Sequence, residues 1–150
     1  MINKKLTINK KVYLFLNQLI RMTEYIKIFE DYLKKELKYI KPENLYNPVK
    51  YLLESGGKRL RPIIALNVSE LLGGKISDTL PAAAALEIFH NFTLAHDDIM
   101  DNSMLRRGKK TINSKWDNNT GILSGDVMLI ISYEVLNQYQ DSKYIPVSYT

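Results

Sequence analysis

The sequence predicts an all-α protein, an antiparallel helical bundle, and three observations carry that expectation. Apolar residues recur at helical spacing, as in Tyr25, Phe29, Tyr32, Leu33, Leu37 and Ile40. Glycine and proline punctuate the apolar runs at intervals that suit helix ends. No segment alternates apolar and polar residues as a half-buried strand would.

The elements follow in order. Met22 to Ile40 reads as the first helix, with lysines on its back and Lys41-Pro42 as its stop. Asn47-Pro48 offers a cap followed by a proline at the first helical position, opening a short helix from Val49 to Glu54 that stops at Ser55-Gly56-Gly57. Pro62 opens a third run, Ile63 to Leu72, closed by Gly73-Gly74. Ser77 or Asp78 can cap a long alanine-rich helix running through Ala82 to Asp98. Asp101 to Lys110 is a polar loop, and Thr111 to Trp116 looks helical. Asn118-Asn119-Thr120-Gly121 reads as a turn ahead of a last helix from Ile122 to Leu136.

A chain of 150 residues suits one domain and hides roughly two-thirds of its unfolded surface. With 45% hydrophobic and 25% charged residues, it has a globular composition rather than a disordered one. The absence of cysteine rules out disulfides, thiolate metal sites and a cysteine nucleophile, and suits a reducing cytoplasm. A net charge of +5 is compatible with nucleic acid, an anionic membrane surface or a polyanionic small substrate.

The basic residues from Met1 to Lys11 and the apolar Val12 to Leu16 resemble the start of a signal peptide. Asn17 and Gln18 interrupt that run, no small-residue cleavage site follows, and it falls far short of the ~20 residues of a spanning helix. Neither targeting nor a transmembrane segment is expected. Because Met22 opens the cleaner amphipathic pattern, residues 1–21 are expected to be an N-terminal extension of a domain covering 22–150.

Asp97-Asp98-Ile99-Met100-Asp101 places Asp97 and Asp101 one above the other on a helical face, with Cβ atoms roughly 5–6 Å apart. Paired carboxylates of this kind suit Mg²⁺, which keeps its waters and shares its ligands with substrate phosphates. As ordinary surface acids they would simply face solvent. The spacing, the missing central glycine and the missing terminal glutamate exclude an EF-hand.

Gly56-Gly57-Lys58-Arg59-Leu60-Arg61-Pro62 sets two glycines and three cations just ahead of a helix start, which looks like a phosphate cradle. It lacks the spacing of a nucleotide P-loop. Arg106-Arg107-Gly108 follows the aspartates by one loop, close enough to grip a diphosphate. Each basic cluster alone reads equally as solvated surface. His90 precedes Asp97 by two helical turns and can face the same cavity, as a structural histidine or as a phosphate donor. His90 and His96 are six apart, the wrong spacing for a shared zinc on one helix face.

The glycine-rich basic loop, His90, the aspartate motif and Arg106-Arg107-Gly108, in this order, resemble the N-terminal half of the polyprenyl synthetase family, the trans-isoprenyl diphosphate synthases. The resemblance covers about residues 22–140 and includes Gly125-Asp126, read as structural. It implies the N-terminal part of an isoprenoid synthase fold, and a prenyltransferase that condenses isopentenyl and allylic diphosphates head to tail. By that resemblance Lys58, Arg61, His90 and Arg107 hold isopentenyl diphosphate, and Arg106 holds the allylic diphosphate. Asp97 and Asp101 bind Mg²⁺, with Asp98 completing the catalytic motif. The allylic diphosphate ionises, the isopentenyl double bond attacks, and a proton leaves. Phe92 and Phe89 stand where bulky rings limit chain length, which implies a farnesyl or geranylgeranyl product, although aromatic residues at this spacing read equally as ordinary core.

Members of that family are about twice as long, with a second aspartate-rich motif and further lysines downstream, none of which this sequence contains. The chain alone is therefore expected to show little or no synthase activity, and a homodimer is implied only for a full-length protein. Three competing functions remain. A class I terpene cyclase needs no second diphosphate site, so the basic loop and Arg107 argue against it. A non-catalytic fragment or partner subunit of a synthase is a different class that fits the length. A nucleic-acid module is suggested by charge alone, and Trp116 forms no stacking pattern with the scattered basic residues.

Overall fold

The computed structural model describes residues 10–37 and 42–139. Six helices, α1 (Lys10–Glu36), α2 (Glu43–Leu53), α3 (Leu60–Leu71), α4 (Ile76–Met100), α5 (Ile112–Lys115) and α6 (Asn118–Leu136), surround a core centred on α4. A hairpin of two short strands, β1 (Leu105–Arg106) and β2 (Lys109–Lys110), lies between α4 and α5, and a 3₁₀ turn, Asn137–Tyr139, follows α6.

Named contacts fix the directions. Ile99 of α4 lies against Gly121 of α6 and His96 against Gly125, while at the other end Tyr139 meets Asp78 and Ala82. The two helices are therefore antiparallel. Tyr25 meets Glu70 and Glu30 meets Arg59, so α1 runs antiparallel to α3, and Ser69 bonded to Thr79 sets α3 antiparallel to α4. The expected antiparallel bundle is what forms. Its core joins Tyr25, Phe29 and Leu33 of α1 to Val49, Leu53, Leu66, Ala84, Ile88 and Met128.

Several boundaries differ from expectation. The first helix starts at Lys10, not Met22, so the division placed after residue 21 falls within one helix, and Arg21 pairs with Glu70 of α3. The expected end at Ile40 and Lys41 lies outside the described residues. α2 starts at Glu43 because the Pro42 carbonyl accepts from both Leu45 and Tyr46, which leaves Pro48 inside the helix. α4 starts at Ile76 with Ser77 and Asp78 in its first turn rather than as caps. The segment 118–121 is the first turn of α6, since the Asp117 carboxylate accepts from the Thr120 amide at 2.7 Å.

Two helix ends close in the same way. Past α3, the Gly73 amide bonds the Glu70 carbonyl and the Gly74 amide that of Ser69, with Gly73 at φ 82°. Past α4, Asn102 and Ser103 bond back to Ile99 and Asp98, with Asn102 at φ 50°. Both are Schellman motifs, one made by the expected glycine and one by asparagine. At the far end of the bundle, Tyr32 donates to Gln138 at 3.1 Å and Gln138 donates to Glu36 at 3.2 Å, tying the last turn to α1. Among the described residues no helix is long and apolar enough to cross a membrane.

Candidate functional site

The basic loop links α2 to α3, and two backbone features shape it: Gly56 and Gly57 take φ values of 87° and 148°, open mainly to glycine. Arg59 adopts a left-handed conformation, φ 48°, immediately before the first turn of α3. The three cations of the loop do not act alike. Lys58 and Arg61 are exposed, whereas Arg59 is 2% exposed and turned inward. Its Nε donates to Glu30 at 2.6 Å, Nη1 to Glu87 at 3.0 Å and Nη2 to the Leu53 carbonyl at 2.5 Å. Of the three cations in the loop, only Lys58 and Arg61 are exposed.

Those two meet His90 of α4 and Arg107 of the hairpin around a cavity of about 530 Å³, with Gly57 and Glu87 in its wall. His90 is half-buried, and burial, reinforced by the Arg61 charge, pushes its pKa below the ordinary 6.5 against an opposing pull from Glu87. Burial also lowers the pKa of Arg107, with the nearby positive charge of Arg59 next in importance. Two positively biased groups held in unfavourable surroundings make a pocket that gains from an anion.

The hairpin presents Arg107 through its turn. Leu105 pairs with Lys110 and Arg106 with Lys109, leaving Arg107-Gly108 as a two-residue loop with φ values of 53° and 76°. Positive φ at both positions is the signature of a type I′ turn. The Arg107 guanidinium donates to the Gly56 carbonyl and lies where a Cβ on Gly57 would collide with it. Tyr51 of α2 holds the far strand by donating to the Lys110 carbonyl at 2.9 Å.

The aspartate motif ends α4 and divides by burial. Asp98 is 2% exposed, and Arg106 grips it from Nε at 2.9 Å to both oxygens and from Nη2 at 2.8 Å. That bond is the main reason the Arg106 pKa is raised. Asp97 and Asp101 are exposed, and neither carboxylate has a hydrogen-bond or ion-pair partner among the described residues. No cluster of three metal-ligating side chains occurs among those residues. Two free carboxylates one helical turn apart do fit a cation that keeps water and shares phosphate oxygens.

On the same helix, Phe92 is half-buried against the core and meets Phe89 edge to face at 5.4 Å and His96 at 5.0 Å. Phe89 is 42% exposed. His96 packs where Gly125 leaves room, with Nε2 at 3.2 Å from the Ile122 carbonyl, so the role of Gly125 is close packing of α6 on α4.

The structure thus gathers Lys58, Arg61, His90 and Arg107 in one cavity, and Asp97, Asp98, Asp101 and Arg106 at the end of α4. The hairpin joins the two groups through adjacent arginines. Sequence reasoning missed Glu87 and the inward turn of Arg59. The available signal was one acid, Glu87, inside the apolar run Ala83-Ala84-Ala85-Leu86-Glu87-Ile88.

The chain is similar to known proteins both in sequence and in fold. A family model described as polyprenyl synthetase matches residues 42–148. Geranylgeranyl diphosphate synthase of Methanosarcina mazei is 43% identical over 101 residues, covering 67% of this chain and 31% of that protein. A crystal structure of geranylgeranyl pyrophosphate synthase superposes with a TM-score of 0.80 at 47% identity, over 83% of this chain and 38% of its own. Heptaprenyl diphosphate synthase of Staphylococcus aureus superposes with a TM-score of 0.74 at 39% identity, over 81% of this chain and 39% of its own. The chain spans about a third of the length of the curated relative. Because that family model matches residues 42–148, well over half of its length, the chain belongs to the polyprenyl synthetase family.

Proposed function

We propose that this protein supplies the isopentenyl diphosphate pocket and the first aspartate motif of a prenyltransferase, which joins isopentenyl and allylic diphosphates into a farnesyl or geranylgeranyl chain. The observation that carries the reading is the convergence of Lys58, Arg61, His90 and Arg107 on one cavity. Lys58 supplies a point charge, Arg61 and Arg107 planar forks, and His90 a neutral ring that donates one N–H. Together they take a diphosphate and hold its isopentenyl group beside α4.

Asp97 and Asp101 are the residues that would hold Mg²⁺. When bound, Mg²⁺ supplies positive charge to the departing diphosphate. Arg106 contributes to allylic diphosphate binding through Nη1, the nitrogen not engaged by Asp98. Asp98 keeps that guanidinium aimed. Phe92 and Phe89 limit product length from the α4 face below the aspartates, and their apolar surface keeps water from a developing allylic cation. A cytoplasmic homodimer of the complete synthase belongs to the same proposal.

The length of the relatives favours a second reading, a binding subunit or fragment without turnover of its own. One paired experiment separates them: calorimetric titration with isopentenyl diphosphate, and incorporation of the labelled compound with Mg²⁺ and an allylic primer. Binding lost in Lys58→Ala/Arg61→Ala, with product lost in Asp97→Ala/Asp101→Ala, supports a catalyst. Binding without product supports the subunit. Absence of saturable binding overturns both.

A further inference from the structure

We propose that Arg59 is a positioning residue for diphosphate binding, which aims Lys58 and Arg61 into the cavity and shields the bound anion from Glu87. The inference rests on the pocket reading above, and three observations deepen it. Every guanidinium nitrogen of Arg59 is engaged, by Glu30 of α1, Glu87 of α4 and the Leu53 carbonyl that ends α2. Three of its five N–H donors are thus committed to protein partners, and its side chain is nearly fully buried. The residue therefore clamps the loop to three helices at once, although its neighbours Lys58 and Arg61 are exposed.

The backbone gives the second observation. A left-handed conformation, φ 48° and ψ 34°, is unfavourable for arginine and persists only where surrounding contacts impose it. It turns the chain abruptly into α3, so Arg61 emerges in the first helical turn. Buried ion pairs are poor sources of stability and are better attested as devices that fix a position.

Charge gives the third. Glu87 is 3% exposed, lines the cavity and sits one turn before His90. An uncompensated carboxylate there repels a diphosphate. Arg59 at 3.0 Å offsets part of that charge from inside the wall, sharing its fork with Glu30. Removing Arg59 therefore does more than loosen the loop. It turns part of an anion site against the anion.

The test measures dissociation constants for isopentenyl diphosphate in Mg²⁺-free buffer, with melting temperature for each variant. Arg59→Lys keeps the charge and loses the fork, and is expected to bind about tenfold more weakly while still melting cooperatively. Glu87→Gln keeps an oxygen for Arg59 and removes the opposing charge, so binding tightens about two- to threefold. A merely structural Arg59 predicts the opposite sign for Glu87→Gln, with affinity falling alongside stability in both variants. That result overturns the proposal, and Glu87→Gln alone decides if Arg59→Lys does not fold. Lys58→Ala is the control for the pocket itself. If Lys58→Ala binds as well as the parent, the pocket reading fails; if it binds weakly while Arg59→Lys binds normally, only the role of Arg59 fails.

Discussion

Asp97 and Asp98 are adjacent in sequence and opposite in environment. A helix turns about 100° per residue, so Asp98 leaves the face that exposes Asp97 and Asp101 and is buried against Arg106. Asp98→Asn is expected to cost about 1–3 kcal/mol in urea unfolding by leaving the Arg106 fork poorly matched, whereas Asp97→Asn stays within about 0.5 kcal/mol. His90 gives a second residue-scale prediction. Its folded pKa lies below the unfolded 6.5, so the unfolded chain binds the extra proton first, and the contribution of His90 to stability is lost as pH falls from above 6.5 through the depressed value. His90→Gln should therefore show a smaller drop in melting temperature between pH 7.5 and pH 5 than the parent; equal drops would remove His90 as the cause. At this scale the aspartate spacing was legible because helical period alone sets it. The fate of Arg59 was not, because an arginine between Lys58 and Arg61 looks the same whether it points out or in.

Elements were legible where glycine or proline ends them and less so where a polar side chain does. Gly73-Gly74 was expected as a stop and forms one, but Asn102 performs the same task after α4 without any glycine. Asp117 recruits residues 118–121, which read as a turn, into the first turn of α6. The hairpin escaped notice because two-residue strands have no alternation to detect. Close packing of α6 on α4 yields a test: Gly125→Ala gains helix propensity yet drives a methyl group into the His96 ring. The clash is expected to win, with a net loss of about 1–2 kcal/mol, and His96→Ala in the same chain should recover part of it. An additive double variant would argue against the contact.

Over the whole molecule, the antiparallel bundle was expected from alternating helices and short connections, but the cavity was not derivable from spacing. Its four cationic or basic groups come from one interhelical loop, two helices and one hairpin, and only the family resemblance assembled them in advance. Because one core joins α1 to α2, α3, α4 and α6, unfolding followed by Trp116 fluorescence and by helical circular dichroism should coincide. Trp116 sits edge-on to Tyr51 at 5.3 Å and reports on the α2 side, so an earlier loss of helical signal would mean that α1 melts separately. The bonds from Gln138 to Tyr32 and Glu36 span 106 and 102 positions of sequence. At a ribosome adding roughly 5–20 residues per second, the amino-terminal helix emerges about 5–20 seconds before the residue that fastens it. For that interval the Tyr32–Glu36 end of the helix waits without its last partner, and crowding by nascent neighbours becomes a condition of how this protein is made.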